Sequence, residues 1–152
     1  MNLSAALLAA ALPVALLPPD ARELPAEATR AAVESMTRAL PAPFAPAPLD
    51  ALLVRTHLDA AGPACRHDGV CLCSAVPLTP GALALDLTLA KNEHGLWSVD
   101  LSLLSPCEGQ VLARRAELIE ANKEALSQWI AKATEALLKG RDLGPLRRGG
   151  KI

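Results

Sequence analysis

The chain has 152 residues, a length typical of one domain, and hydrophobic residues make up 51% of it. Aromatic residues contribute only 2%, which leaves a core of Leu, Val and Ala and few of the side chains that stack on bases or form binding hot spots. With 15 Lys and Arg against 16 Asp and Glu, the chain has no global field that would attract nucleic acid or anionic lipid.

An apolar run extends from Leu3 to Leu12 at the N-terminus. It is too short to cross a bilayer as a helix, so we predict no transmembrane span, but its length and the small residues Ala9-Ala10-Ala11 are typical of a signal peptide. Met1-Asn2 lacks the positive charge of a secretory n-region, so an ordinary buried segment is the alternative. We divide the chain into a signal-peptide core (1–12), a single domain (13–139) and a flexible basic tail (140–152).

The first part of the domain predicts one strand and two helices. The short apolar run Val14–Leu17 stops at a proline pair and indicates a strand, and the apolar residues between Pro25 and Leu40 recur at helical spacing. The stretch Pro41–Pro48 alternates proline, so it should run extended over the surface. Leu49–Ala60 allows a second helix, which Gly62-Pro63 would end.

The clearest pattern is the alternation from Ala82 to Leu104, which predicts a β-hairpin with one buried leucine face. Gln110–Arg115 adds the third strand of a meander. Asp86 and Asp100 fall on the polar face of this hairpin. They could face one another as a carboxylate pair of the kind that acid and base catalysis uses, although solvated surface residues are the simpler interpretation.

A last helix is predicted from about Asn122, a good N-cap, to Lys139. Leu126, Trp129 and Ile130 belong to an apolar stripe that would lie across the leucine face of the sheet. The predicted fold class is therefore α/β (α+β): a three-stranded antiparallel meander, joined by the N-terminal strand if that strand is central, and packed against two or three helices.

Four cysteines, an even number, predict two disulfides in an exported chain: Cys65, Cys71, Cys73 and Cys107. The hairpin returns the turn at Cys107 to the end of the sheet where the strand after Cys73 begins. We therefore favour Cys65–Cys71 as a local loop and Cys73–Cys107 as a staple. Bridging Cys71 to Cys107 and Cys65 to Cys73 is the competing pattern, because four cysteines allow three connectivities.

Two alternatives place the protein in the cytoplasm. Cys65, His67, Cys71 and Cys73 put four zinc-type ligands within nine residues, although without paired C-x-x-C knuckles. In the tail, Leu143-Gly-Pro-Leu-Arg-Arg148 resembles the loading peptide of some encapsulin cargo proteins, in which Leu143, Gly144, Leu146, Arg147 and Arg148 would dock inside a protein shell. No motif of a hydrolase, metalloprotease, P-loop or dinucleotide-binding site is present in the sequence.

The order of these elements is similar to that of a known family. An opening Val14-Ala-Leu-Leu-Pro18 strand, two helices, a leucine-rich hairpin and a closing amphipathic helix resemble the anticodon-binding-like α/β domain of the TolB N-terminal and curli-secretion-lipoprotein type. The resemblance covers about residues 13–139. It implies a domain without catalytic residues that docks onto other envelope proteins or assembles into larger complexes.

These observations together predict a non-enzymatic, disulfide-stabilised domain in the periplasm or at the outer membrane, without a cofactor. Its partner would be another envelope protein, and free sheet edges would be the docking surface through strand addition. The alternatives are a zinc-stabilised cytoplasmic module and a cytoplasmic shell cargo.

Overall fold

A computed structural model of the protein describes residues 12–75 and 82–139. This part of the chain is a mixed α/β fold, as predicted, and holds six strands and four α-helices. The elements in chain order are β1 (Leu12–Leu16), β2 (Asp20–Arg22), α1 (Ala26–Ala39), β3 (Phe44–Pro46), α2 (Ala51–Ala61), a 3₁₀ turn (Pro63–His67), α3 (Gly69–Ala75), β4 (Leu83–Lys91), β5 (Trp97–Ser105), a second 3₁₀ turn (Pro106–Glu108), β6 (Gln110–Ile119) and α4 (Lys123–Leu138).

All six strands form one sheet, in the order β3-β1-β4-β5-β6 with β2 also paired to β4. The pairing of β4, β5 and β6 is antiparallel, which is the predicted meander. β1 and β2 run parallel to β4, so the N-terminal strand does join the sheet. The proline-rich stretch contributes β3, a three-residue edge strand parallel to β1, where a missing N–H is tolerated.

α1 and α4 cover one face of the sheet and enclose the leucine core. The buried leucines of β4 and β5 on this face pack against both helices, together with Trp97, Val99, Met36 and Ile130. Asn122 begins α4, because its Oδ1 accepts a hydrogen bond from the backbone N–H of Ala125 at 2.7 Å. The predicted packing of the last helix on the leucine face is therefore confirmed.

A second, smaller core lies on the opposite face of the sheet, under α2, the first 3₁₀ turn and α3. Its buried residues are Ala15, Leu17, Val54, Leu58, Cys65, Leu72, Ala84 and Leu104. The prediction of a hairpin with one buried face is wrong for β4, whose residues Leu83 to Leu87 are all buried. The first 3₁₀ turn and α3, which follow the second helix, fold back over β4 and turn its second face into core.

Two disulfides hold the layer that covers this face, which consists of α2, the first 3₁₀ turn and α3 and is called the covering layer below. Cys65 is joined to Cys71 and Cys73 to Cys107, the pairing that the sequence favours. Near the second bond the backbone of α3 approaches the β5–β6 turn so closely that a Cβ on Gly69 would lie 2.5 Å from the Cα of Gly109. Only glycine fits at this contact without displacing the turn. Within residues 12–75 and 82–139, no helix is both long and apolar enough to cross a membrane.

Candidate functional site

β6 forms one edge of the sheet, and in the described part of the chain it pairs with β5 alone. It is ten residues long, whereas β3 at the opposite edge has three. An edge strand of this length presents a row of backbone donors and acceptors to which another strand can add. We therefore take the β6 edge as the candidate site.

The side chains of β6 alternate between two different surfaces. On the side of α1 and α4, Arg115 lies opposite Leu101 and Glu117 opposite Val99. On the other side, Arg114 lies opposite Ser102 and Leu118 opposite Ser98. A register shift at Leu103 and Leu104 marks a β-bulge near the start of the strand.

A groove of about 390 Å³ runs between β6 and α4. It is lined by Arg115 and Glu117 from the strand and by Trp129 and Lys132 from the helix. The indole Nε1 of Trp129 donates a hydrogen bond to Oε1 of Glu117 at 3.2 Å. Trp129 thus packs its ring against the core, as the sequence predicts, and uses its polar end to orient a carboxylate at the sheet edge.

The other surface of β6 combines an ion pair with exposed apolar side chains. Arg114 Nη2 lies 2.5 Å from Oδ2 of Asp100 on β5. Leu118 is 52% exposed and Val111 is 64% exposed. Backbone groups, two arginines, a glutamate and two apolar side chains therefore lie together along one accessible strand.

Asp86 and Asp100 do not form the carboxylate pair that the sequence suggested. The hairpin register sets Asp86 opposite Ser102 and Asp100 opposite Thr88. The interpretation of Asp86 as a solvated surface residue is also wrong, because it is only 7% exposed. Its cover is the layer that the Cys65–Cys71 segment supplies.

The buried Asp86 is paired with Arg66 from the first 3₁₀ turn. Arg66 Nη1 donates to Oδ1 of Asp86 at 2.5 Å, and Nη2 donates to the carbonyl oxygen of Pro18 at 2.5 Å. Burial raises the pKa of the Asp86 carboxyl, and the charge and hydrogen bond of Arg66 offset part of this rise. The arginine thereby ties the covering layer to β4 and to the segment between β1 and β2.

The zinc-type ligands of the sequence do not assemble into a metal site. All four cysteine sulfurs are in disulfides, so no thiolate is left to bind zinc, and His67 lies exposed in the 3₁₀ turn. Among the described residues, no group of three or more His, Cys, Asp or Glu side chains could hold a metal ion. The predicted shell-docking residues lie outside the described residues, and their role stays a prediction: Leu143, Gly144, Leu146, Arg147 and Arg148.

Sequence reasoning missed the second half of β6 and the partner of Asp86. The third strand was expected to end at Arg115, but it continues to Ile119 because an edge strand with two polar surfaces shows no alternation of apolar residues. Arg66 lies 20 residues before Asp86 in the chain, and no local spacing connects them. An apolar run with an embedded Asp was the one available signal of a buried charge.

Searches with protein-family models and against the curated proteins each found no match. Among solved structures, the chain is similar to the lipoprotein GNA1162 from Neisseria meningitidis, with 15% sequence identity and a TM-score of 0.51. The match covers 84% of this chain and 97% of that one. A PelC dodecamer from Paraburkholderia phytofirmans matches with 15% identity and a TM-score of 0.44, covering 84% of this chain and 88% of that chain. The chain therefore has a fold that a bacterial lipoprotein also has.

Proposed function

We propose that the protein is a non-enzymatic domain of the periplasm or the outer membrane that binds another envelope protein. The observation that carries this proposal is the ten-residue β6 edge, which has a neighbouring strand on one side only within the described sheet. Strand addition would supply main-chain hydrogen bonds for affinity, and side chains on the two surfaces would supply specificity.

The side chains along β6 suit a protein partner. Val111 and Leu118 are more than half exposed, which is unusual for large apolar side chains on a strand next to solvent. Arg115 and Glu117 bring charges of both signs to the groove beside α4. A partner strand in which apolar and charged residues alternate could place its apolar side chains against Val111 and Leu118 and its charged side chains against Arg115 and Glu117.

The two disulfides fit a protein that is exported. Disulfides form and persist in the periplasm and are rare in the cytosol, where thiols are kept reduced. The fold shared with the lipoprotein GNA1162 supports the same compartment. Both points favour the envelope over the cytoplasmic alternatives.

The proposal is tested by photo-crosslinking in the cells that make the protein. A benzophenone amino acid is placed at Leu118 on β6 and, as a control, at Arg30, an exposed residue of α1. We expect a crosslinked product from Leu118 and none from Arg30, with its protein identified by mass spectrometry. Recovery of the chain with free thiols, or no product from β6, would contradict the proposal.

A further inference from the structure

The geometry of β6 points to a specific occupant of this edge: we propose that it pairs antiparallel with the β6 edge of a second copy of this chain. This inference rests on the proposed function, because it keeps β6 as the docking edge and takes the envelope protein bound there to be a second copy of this chain. The two strands would be related by a two-fold axis at Ala116, so that the six-stranded sheets of both copies join into one. In this register, residues 113–119 of one strand lie opposite residues 119–113 of the other.

The charges of β6 are self-complementary about Ala116. Arg115 and Glu117 lie on the same surface, one residue to either side of it. A two-fold axis there sets Arg115 opposite Glu117 of the second copy, and Glu117 opposite its Arg115. Each of the four charged side chains then has an opposite charge both next to it on its own strand and directly across from it on the other strand. Opposite charges that face each other across two strands stabilise the strand pairing.

The neighbouring registers lack this complementarity. Moving the axis to residue 115 would set Arg115 against its own copy, and moving it to residue 117 would do the same to Glu117. Like charges directly opposite one another are destabilising. Moving the axis to residue 114 would set Arg114 against its own copy, and no register other than the one centred at residue 116 sets Arg115 against Glu117. The charge pattern thus selects one register.

The remaining side chains are compatible with this pairing. Ala116 meets Ala116 at the axis, where a small side chain leaves room for close approach. On the same surface the aliphatic stem of Arg114 lies opposite the exposed Leu118 of the second copy. The groove of about 390 Å³ beside α4 provides space for the arriving Arg115, next to the Glu117 carboxylate that Trp129 holds.

Charge reversal tests the partner and the register together. Sedimentation of the full chain should show a monomer–dimer equilibrium, and Arg115→Glu or Glu117→Arg should each raise the dissociation constant at least about tenfold, because both facing pairs become repulsive. An equimolar mixture of the two variants should restore dimerisation, because every facing pair is then Arg against Glu. Arg30→Glu on α1 makes the same charge change away from β6 and should leave the dimer unchanged.

A cysteine crosslink tests the position of the axis. Ala116→Cys should give a disulfide-linked dimer, because residues opposite one another have Cα atoms roughly 5 Å apart. Leu118→Cys, exposed on the same surface, should not, because the two copies of residue 118 lie four positions apart along the strand, roughly 13 Å.

A chain that stays monomeric up to its solubility limit would overturn the second copy as partner, as would single variants that dimerise like the native chain. Crosslinking through Leu118→Cys rather than Ala116→Cys would overturn the register. A monomer that nevertheless crosslinks to a different envelope protein from Leu118 in cells refutes this inference and leaves the proposed function standing. No product from β6 in either setting refutes both.

Discussion

Replacing Arg66 with methionine tests the account of the buried ion pair. The variant keeps most of the aliphatic volume and removes the charge. The side chains of Arg66 and Asp86 are only 13% and 8% exposed, so little solvent can compensate the carboxylate that is left behind. Breaking such a pair from one side costs about 3 to 5 kcal/mol of unfolding free energy, and the carbonyl of Pro18 loses its donor as well.

The loss should depend on pH, because burial raises the pKa of Asp86 in the folded chain. Between the unfolded and the folded pKa, the folded state binds more protons than the unfolded state, so the contribution of this group to stability falls as pH rises. Without the Arg66 charge the folded pKa rises further. The destabilisation of Arg66→Met should therefore be largest near neutral pH and should shrink as the solution is acidified and Asp86 takes up its proton.

Urea unfolding under non-reducing conditions, at about pH 7 and about pH 4.5, measures both effects. Arg38→Met is the control, because Arg38 is 70% exposed in a surface pair with Glu34 and should change stability by less than about 1 kcal/mol. A loss for Arg66→Met below about 1 kcal/mol at neutral pH would refute the buried pair as a structural tie. An equal loss at both pH values would refute the assignment of the effect to Asp86.

Four further variants test the covering layer and the last helix by the same unfolding assay. The double variant Cys73→Ser/Cys107→Ser removes the disulfide that spans a sequence separation of 34, and on chain-entropy grounds it should lower the free energy of unfolding by about 3.8 kcal/mol. Cys65→Ser/Cys71→Ser removes the disulfide of the short loop and should lower it by about 2.4 kcal/mol. Equal losses would contradict that ordering. Gly69→Ala forces a Cβ into the β5–β6 turn and should cost about 1 to 3 kcal/mol, whereas Val70→Ala at an 80% exposed position should cost little. Asn122→Ala removes the N-cap of α4 and should lower the free energy of unfolding by about 1 kcal/mol. No change would mean that water accepts the hydrogen bond from the Ala125 N–H as well as Asn122 does.

Much of the sheet and its helices can be predicted from the sequence, because local patterns determine them. The alternation from Ala82 to Leu104 fixes the hairpin, and the stripe after Asn122 fixes the helix that covers it. The same hairpin favours the observed cysteine pairing, since an antiparallel return brings Cys107 back towards Cys73, but the sequence leaves a bond between Cys71 and Cys107 open as the competing pattern. For the hairpin and for the last helix, a short stretch of chain carries the whole signal.

The second core and the full length of the edge strand could not be predicted in this way. β4 shows a period of two, yet both of its faces are buried because Ala84 and Asp86 are covered by a distant segment. The alternation puts Asp86 on the polar face of the hairpin and so predicts a surface residue, and only the position of Arg66 in three dimensions changes that. Glu117 is polar on an edge strand, so its hydrogen bond to Trp129 has no counterpart in the hydrophobic pattern.

The bond between Cys73 and Cys107 turns the hairpin of β4 and β5 into part of a closed covalent ring. A single cut by trypsin after the exposed Lys91, at the tip of that hairpin, would leave two fragments that travel as one molecule until a reductant separates them. Strand β6 begins at Gln110, just after Cys107. In a nicked molecule it therefore stays joined to the β5 fragment through the chain and to the β4 fragment through the disulfide.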